Sequence, residues 1–156
     1  MKTRLDYKKA SPAGAQAMGA LHTFLHHCSL DQGLLELVKL RASQINGCAA
    51  CIDLHTKKMR AAGENEQRLY LLDAWQETPI YTARERAALA WTEAVTLITD
   101  GHAPDAVYDE VRQHFNDEEL TNLTLAICAI NSANRMNIAF RKMPTDDRTA
   151  ASHAAE

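Results

Sequence analysis

No stretch of this sequence alternates β-branched and polar residues for long enough to demand a strand, whereas helix start and stop signals recur along it. That asymmetry points to an all-α fold. Ser29-Leu-Asp-Gln32 reads as a capping box with Ser29 as N-cap, opening a helix in which Leu34, Leu37, Val38, Arg41 and Ile45 keep helical spacing. Asn46-Gly47 breaks or bends the chain there. A second helix is expected from near Cys48 to about Ala62, where Lys57, Lys58 and Arg60 crowd the last turns and Gly63 sits at a left-handed cap. Glu66 to Trp75 reads as a short helix, and Thr82-Ala-Arg-Glu85 is a second capping box for a helix to about Thr99. Pro104 suits the first position of a helix to about His114. Asn116 or Asp117 then caps a long final helix with Leu120, Leu123, Ile127 and Ile130 as its buried stripe. Ala15 to His27 is expected to be helical as well, despite Pro12 and two nearby glycines.

A chain of 156 residues with 46% apolar and 24% charged residues is one ordinary domain, long enough to bury its own core. That domain is expected over 1–143, with 144–156 as a small, polar, disordered tail. The net charge is −3 and no basic run stands out, so nucleic acid and acidic membrane surfaces are poor partners. No run of about 18 apolar residues offers a membrane span. Met1 to Ala10 carries Lys and Arg without an apolar stretch behind them, unlike a secretory signal. A reducing cytoplasm is the compartment expected. There, four cysteines imply redox or metal chemistry rather than a disulfide framework.

Cys48-Ala-Ala-Cys51 followed by His55 carries the chemistry. At about 100° per residue, Cys51 lies about −60° and His55 about −20° from Cys48, so all three share one narrow stripe. Cysteines three apart in a first helical turn are within disulfide reach. The free N–H groups and dipole at a helix start favour thiolate, the species that attacks a peroxide oxygen. A sulfenic acid formed that way condenses with a nearby second thiol. His55 suits a hydrogen bond to the thiolate, a proton shuttle or a metal ligand. Glu36, set among Leu34, Leu35, Leu37 and Val38, suits a general base with a raised pKa if its side chain points inward. Helix geometry alone favours Cys48, nearest the positive end, as the reactive thiol, while proximity to His55 favours Cys51.

The run Glu36-Leu-Val-Lys-Leu-Arg-Ala-Ser-Gln-Ile-Asn-Gly-Cys48-Ala-Ala-Cys51-Ile-Asp-Leu-His55 resembles the active-site segment of the AhpD-like alkylhydroperoxidases, members of the carboxymuconolactone decarboxylase superfamily. The likeness continues through Lys57 to Gly63, Trp75 to Thr78, Arg86 to Ala90, Thr92 to Thr96 and Asn131 to Arg135. It implies an all-helical, AhpD-like fold that assembles by helix packing into homo-oligomers, trimers or hexamers. It also implies a thiol peroxidase with Cys51 as the peroxidatic and Cys48 as the resolving thiol. In that scheme Cys48 exchanges with an external dithiol reductant, and Glu36 and His55 form the proton relay. Neither cofactor nor metal is called for. One departure is Ala50, which stands where the best-known branch has a histidine.

Other readings remain beside this one. A thiol–disulfide exchanger or redox sensor needs the same dithiol without fast peroxide turnover, and Ala50 is compatible with it. The decarboxylase branch leaves the dithiol without a task. Zinc would accept Cys48, Cys51 and His55, but no second Cys/His cluster at ligand spacing accompanies them. Cys128 is expected to be a small core residue, and Cys28 beside His26 and His27 a solvated helix end. Asn131, Asn134 and Asn137 suit either a site or polar helix packing, Glu93 a buried ion pair, and Trp75 and Trp91 a core or an interface.

Overall fold

The computed structural model describes residues 1–145. Within them the chain forms α1 (Tyr7–Ala10), α2 (Pro12–His26), α3 (Gln32–Asn46), α4 (Ala49–Ala61), α5 (Glu66–Leu71), a 3-10 stretch (Leu72–Glu77), α6 (Ala83–Thr96), α7 (Asp105–Arg112) and α8 (Asp117–Ala139). No strand occurs among the described residues, and the expected all-α class holds. No helix of the described residues is long and apolar enough to cross a membrane. The tail expectation for 144–156 falls, from residue 146 on, outside the described residues.

Helix α3 is the axle of the fold. It packs against α4, α6 and α8, and it buries Leu34, Leu35, Leu37, Val38, Leu40 and Ala42. A one-sided stripe was the expectation; burial of Leu35 and Leu40 as well puts apolar contacts on several sides. One part of the core gathers Leu35 and Val38 with Leu25, Trp91, Val111, Leu123 and Ile127. A second gathers Leu37 and Leu40 with Met59, Leu72, Trp75, Tyr81 and Leu89. Burying one such side chain stabilises the fold by roughly 1.5–3 kcal/mol. The expected stripe of α8 is buried throughout, and both tryptophans are core residues.

Several boundaries moved. The N-cap of α3 is Asp31, not Ser29: its carboxylate accepts from the Leu34 N–H at 2.9 Å. A carboxylate at the positive end of a helix is a stronger acceptor than a hydroxyl. Gln32 instead donates its side-chain amide to the Leu25 carbonyl at 3.2 Å, satisfying the end of α2. The capping boxes Thr82/Glu85 and Asn116/Glu119 are both formed. Helix α6 stops at Thr96 rather than Thr99, and Pro104 is the N-cap of α7 rather than its first turn. The segment to Trp75 tightens into a 3-10 turn with a kink at Ala74, and the Trp75 indole donates to Glu93 at 2.7 Å. Cys128 is exposed, so it is not the core residue expected of it. It lies on the outer side of a helix whose other faces are buried.

The turn that matters most joins α3 to α4. Gly47 adopts φ 67°, ψ 32°, in the left-handed region. Its N–H reaches the Gln44 carbonyl and the Cys48 N–H reaches that of Ser43, the paired bonds of a Schellman motif. The chain therefore turns back immediately, and α4 runs alongside α3. Gly47→Ala has open space for its Cβ but must hold a left-handed backbone, so it should lower stability by about 1 kcal/mol in urea unfolding under reducing conditions.

Candidate active site

The α3–α4 turn delivers Cys48 to the N-cap position of α4, with φ −84° and ψ 93°, and Cys51 to the first helical turn. Both sulfurs are inside the protein, Cys48 at 1% and Cys51 at 3% exposure, in a small apolar cluster with Ala42 and Ile130. They are 2.6 Å apart as free thiols, so they share a hydrogen bond and can form a disulfide without moving a helix.

That contact sets their acidity. The hydrogen bond with Cys51 brings the Cys48 thiol down to about 7, against the opposing effect of burial and with help from the Lys142 charge. Cys51 is pushed up by the same hydrogen bond and by burial. The pair thus loses its first proton near pH 7 and holds the second tightly, because the remaining S–H solvates the thiolate. One contact works the other way at Cys51 and favours its thiolate. The Asn137 side-chain amide donates to its sulfur at 3.1 Å, and the Tyr7 hydroxyl donates to the Asn137 Oδ1 at 3.0 Å, holding that amide in the donating orientation.

One helical turn beyond Cys51, His55 is 6% exposed. Its Nδ1 lies 2.7 Å from one oxygen of Glu36, while the Lys39 ammonium lies 2.9 Å from the other. Lys58 stands farther off, at 3.9 Å. Glu36 and His55 are nineteen positions apart and meet because Gly47 folds α4 onto α3. The expected raised pKa of Glu36 is not what the site produces. Burial does push the carboxyl upward, but the hydrogen bonds from His55 and Lys39 outweigh it and hold the group at about 2. Glu36 is therefore a fixed anion at neutral pH, and the Nδ1 facing it must carry the proton. Nε2 is the nitrogen left for proton transfer. Among the described residues no hydrogen bond joins His55 directly to either thiol.

Cys51 and His55 open onto a cavity of about 230 Å³, which also touches Tyr7, Met18, His22 and Ile130. Among the described residues no group of three or more His, Cys, Asp or Glu is arranged to hold a metal ion. That includes the neighbourhood of Cys28, whose sulfur donates to the Leu25 carbonyl.

All four candidate residues converge on this site. Asn131 and Asn134 do not reach the thiols: they make polar contacts with Asn46 and Ser43 of α3 and Thr96 of α6, where those helices meet α8. Glu93 pairs with Arg41 at 2.9 Å and supports Trp75. No sequence signal marks Tyr7 or Lys142 for this site. They belong to opposite ends of the chain, and no local spacing relates them to the dithiol.

Comparison with known proteins identifies the family and the fold. The family model for the carboxymuconolactone decarboxylase family matches residues 12–94. This chain belongs to that family. An uncharacterised Bacillus subtilis protein, YdfG, is 42% identical over 140 residues, which is 90% of this chain and 95% of its own. A crystal structure of an Agrobacterium tumefaciens protein of unknown function, suggested to be the antioxidant defence protein AhpD, superposes with a TM-score of 0.91. It is 45% identical and covers 93% of this chain and 99% of its own. The alkyl hydroperoxide reductase AhpD of Bradyrhizobium diazoefficiens is 36% identical over 74 residues, 47% of this chain and 35% of that one. The AhpD-like fold is thus established for this family member.

The anionic Glu36 has a measurable signature. A depressed carboxylate contributes stability above its unfolded value near 4.5, and that contribution disappears as pH falls through about 2. Its size is on the order of 3 kcal/mol. Glu36→Gln should lose about that much stability near pH 7 and leave Lys39 buried without its counter-ion. Urea unfolding across a pH series should show the variant's stability changing less than wild type between about pH 5 and pH 2.

Proposed function

We propose that this protein is a thiol-dependent peroxidase that reduces hydroperoxides through a Cys48–Cys51 dithiol/disulfide cycle. The observation that carries the reading is the pair of free sulfurs 2.6 Å apart, one of them walling a cavity shared with a histidine that a carboxylate orients.

Cys51 is the peroxidatic thiol in this scheme. His55 Nε2 accepts its proton, and Glu36 stabilises the resulting imidazolium as a fixed charge rather than as a base. Asn137 donates to the thiolate. The sulfur attacks the distal oxygen of the hydroperoxide, the O–O bond breaks, and the departing alkoxide takes the proton from His55 to leave as an alcohol. The product on the protein is a Cys51 sulfenic acid. Cys48 then attacks that sulfur, its proton goes to the departing hydroxide, and water leaves as the disulfide forms. An external dithiol, exchanging first at Cys48, returns both cysteines to thiols and leaves as its own disulfide. The working form is a homo-oligomer, a trimer or hexamer, in the cytoplasm. Ala50, in place of a histidine, removes one relay partner of the best-known branch and makes His55 the relay's single imidazole.

A redox-sensing role without efficient turnover has one observation in its favour. Both sulfurs are nearly inaccessible, which slows exchange with a bulky thiol donor.

Peroxide consumption with dihydrolipoamide decides between the two. Turnover should be lost in Cys51→Ser. Cys48→Ser should consume about one peroxide per chain and stop at a sulfenic acid that a dimedone probe traps. Wild-type turnover in Cys51→Ser would sink the assignment, and a reversible disulfide without turnover would favour the sensor.

The thiol acidity yields a further expectation. Thiolate formation in the Cys48–Cys51 pair should rise with pH through a midpoint near 7, set at Cys48, and oxidation by a neutral hydroperoxide should follow that shared thiolate. Asn137→Ala, which removes a charge-assisted hydrogen bond, should move that midpoint up by about one unit. Stopped-flow measurement of sulfur oxidation across pH reads it directly.

A further inference from the structure

The cavity beside Cys51 is chemically lopsided. Its apolar surface comes from side chains such as Met18, Leu54, Ile130 and Ala133, and apart from Cys51 and Tyr7 its ionisable lining is made of basic residue types: Lys8, Lys39, Lys58 and Lys142, with His22, His26 and His55. No carboxylate is part of that lining. Glu36 answers Lys39 from behind and approaches Lys58 at 3.9 Å, so one carboxylate offsets a share of four ammonium groups. Lys8 and Lys142 form no ion pair within 4 Å among the described residues; Asp6 borders the adjoining groove with them but pairs with Lys9. This concentration of positive charge runs against the protein's net charge of −3, so overall composition does not account for it.

We propose that the cavity is an anion-selective site and that its substrates are small, largely apolar hydroperoxides bearing a carboxylate remote from the O–O bond. The reacting bond rests on the peroxidase reading; the charge preference rests on the cavity alone. A carboxylate among these lysines makes charge-assisted hydrogen bonds in a concave, partly desolvated space, where such bonds are stronger than in open water. The apolar wall takes the hydrocarbon body. Because the reacting sulfur is itself anionic, the carboxylate has to sit at the lysine rim and present the far end of the molecule to Cys51. His22 already feels the surplus charge. Burial first, then Lys39, His55, Lys58 and His26, hold its pKa below the ordinary histidine value.

The chemistry of the step is unchanged. The para-carboxylate of cumene hydroperoxide would give the corresponding tertiary alcohol, with oxygen passing to Cys51 and water leaving as Cys48 closes the disulfide.

The test compares that hydroperoxide with its methyl ester, with dithiothreitol as a neutral reductant. The carboxylate should have a kcat/KM about tenfold higher at low salt. That ratio should shrink toward one near 1 M salt, where the screening length is about 3 Å. Lys8→Met and Lys142→Met should each lower the ratio; the ratio is the readout because Lys142 also acts on the thiols. A ratio at or below one overturns the proposal. So does a preference that appears only when dihydrolipoate replaces dihydrolipoamide, which would assign the lysines to the reductant.

A binding arm needs no turnover. Titrating para-isopropylbenzoate, which has no O–O bond, should raise the His22 midpoint followed by NMR, and its methyl ester should not. Carboxylate binding with no turnover of any hydroperoxide would uphold the site and sink the peroxidase reading. Turnover of the ester with neither binding nor carboxylate preference would overturn the site and leave the peroxidase reading standing.

Discussion

Everything distinctive about this molecule depends on the left-handed turn at Gly47. By reversing the chain in one residue, it lays α4 along α3 and starts α4 at Cys48. The same reversal brings His55 opposite Glu36, so the turn makes both the thiol end and the Glu36–His55 end of the site. A longer loop would cost conformational entropy and would leave the spacing between those two ends undetermined. The Schellman bonds to Gln44 and Ser43 satisfy the carbonyls that the reversal would otherwise leave bare.

Glu36 is the second constraint, and its role follows from how many cations it serves. Set in an apolar stretch, it would be a weak acid; placed between His55 and Lys39, it is a strong one. The cost of burying Lys39 is offset only while that carboxylate stays ionised. Glu36 is therefore as much a structural counter-ion as an orienting group, joining α3 to α4 by charge while Leu37, Leu40 and Met59 join them by apolar contact.

The thiols are tuned from a different direction. Asn137 comes from the far part of α8, and Tyr7 comes from a four-residue helix with no apolar stripe of its own. That helix is too short to be stable alone. Here it is held by Tyr7 against Asn137 and Phe140, and by the preceding Arg4 N–H on the Phe140 carbonyl. The N-terminal segment thereby becomes one wall of the cavity beside Cys51.

The helical class, most helix positions, both of the later caps and the Cys48–Cys51–His55 stripe could be read from local sequence. Each depends on interactions within one turn or two: periodicity, a capping side chain, a glycine at a left-handed position. Glu36 was legible as a candidate through its resemblance to a known segment, but its ionisation was not, because that depends on Lys39 and His55 both facing it. The Asp31 cap was misread because Ser29 and Asp31 are both good N-caps, and only the surrounding contacts divert Gln32 to Leu25. Tyr7 and Lys142 lie far from the dithiol in sequence and carry no local signal, so tertiary packing alone assigns them to it; Asn137 suits either a site or polar packing by sequence, and packing decides for the site. The dithiol itself is a property of the sequence. Its acidity, its orienting amide and its basic cavity belong to the folded molecule, because electrostatics acts through space and these groups become neighbours only when the helices pack.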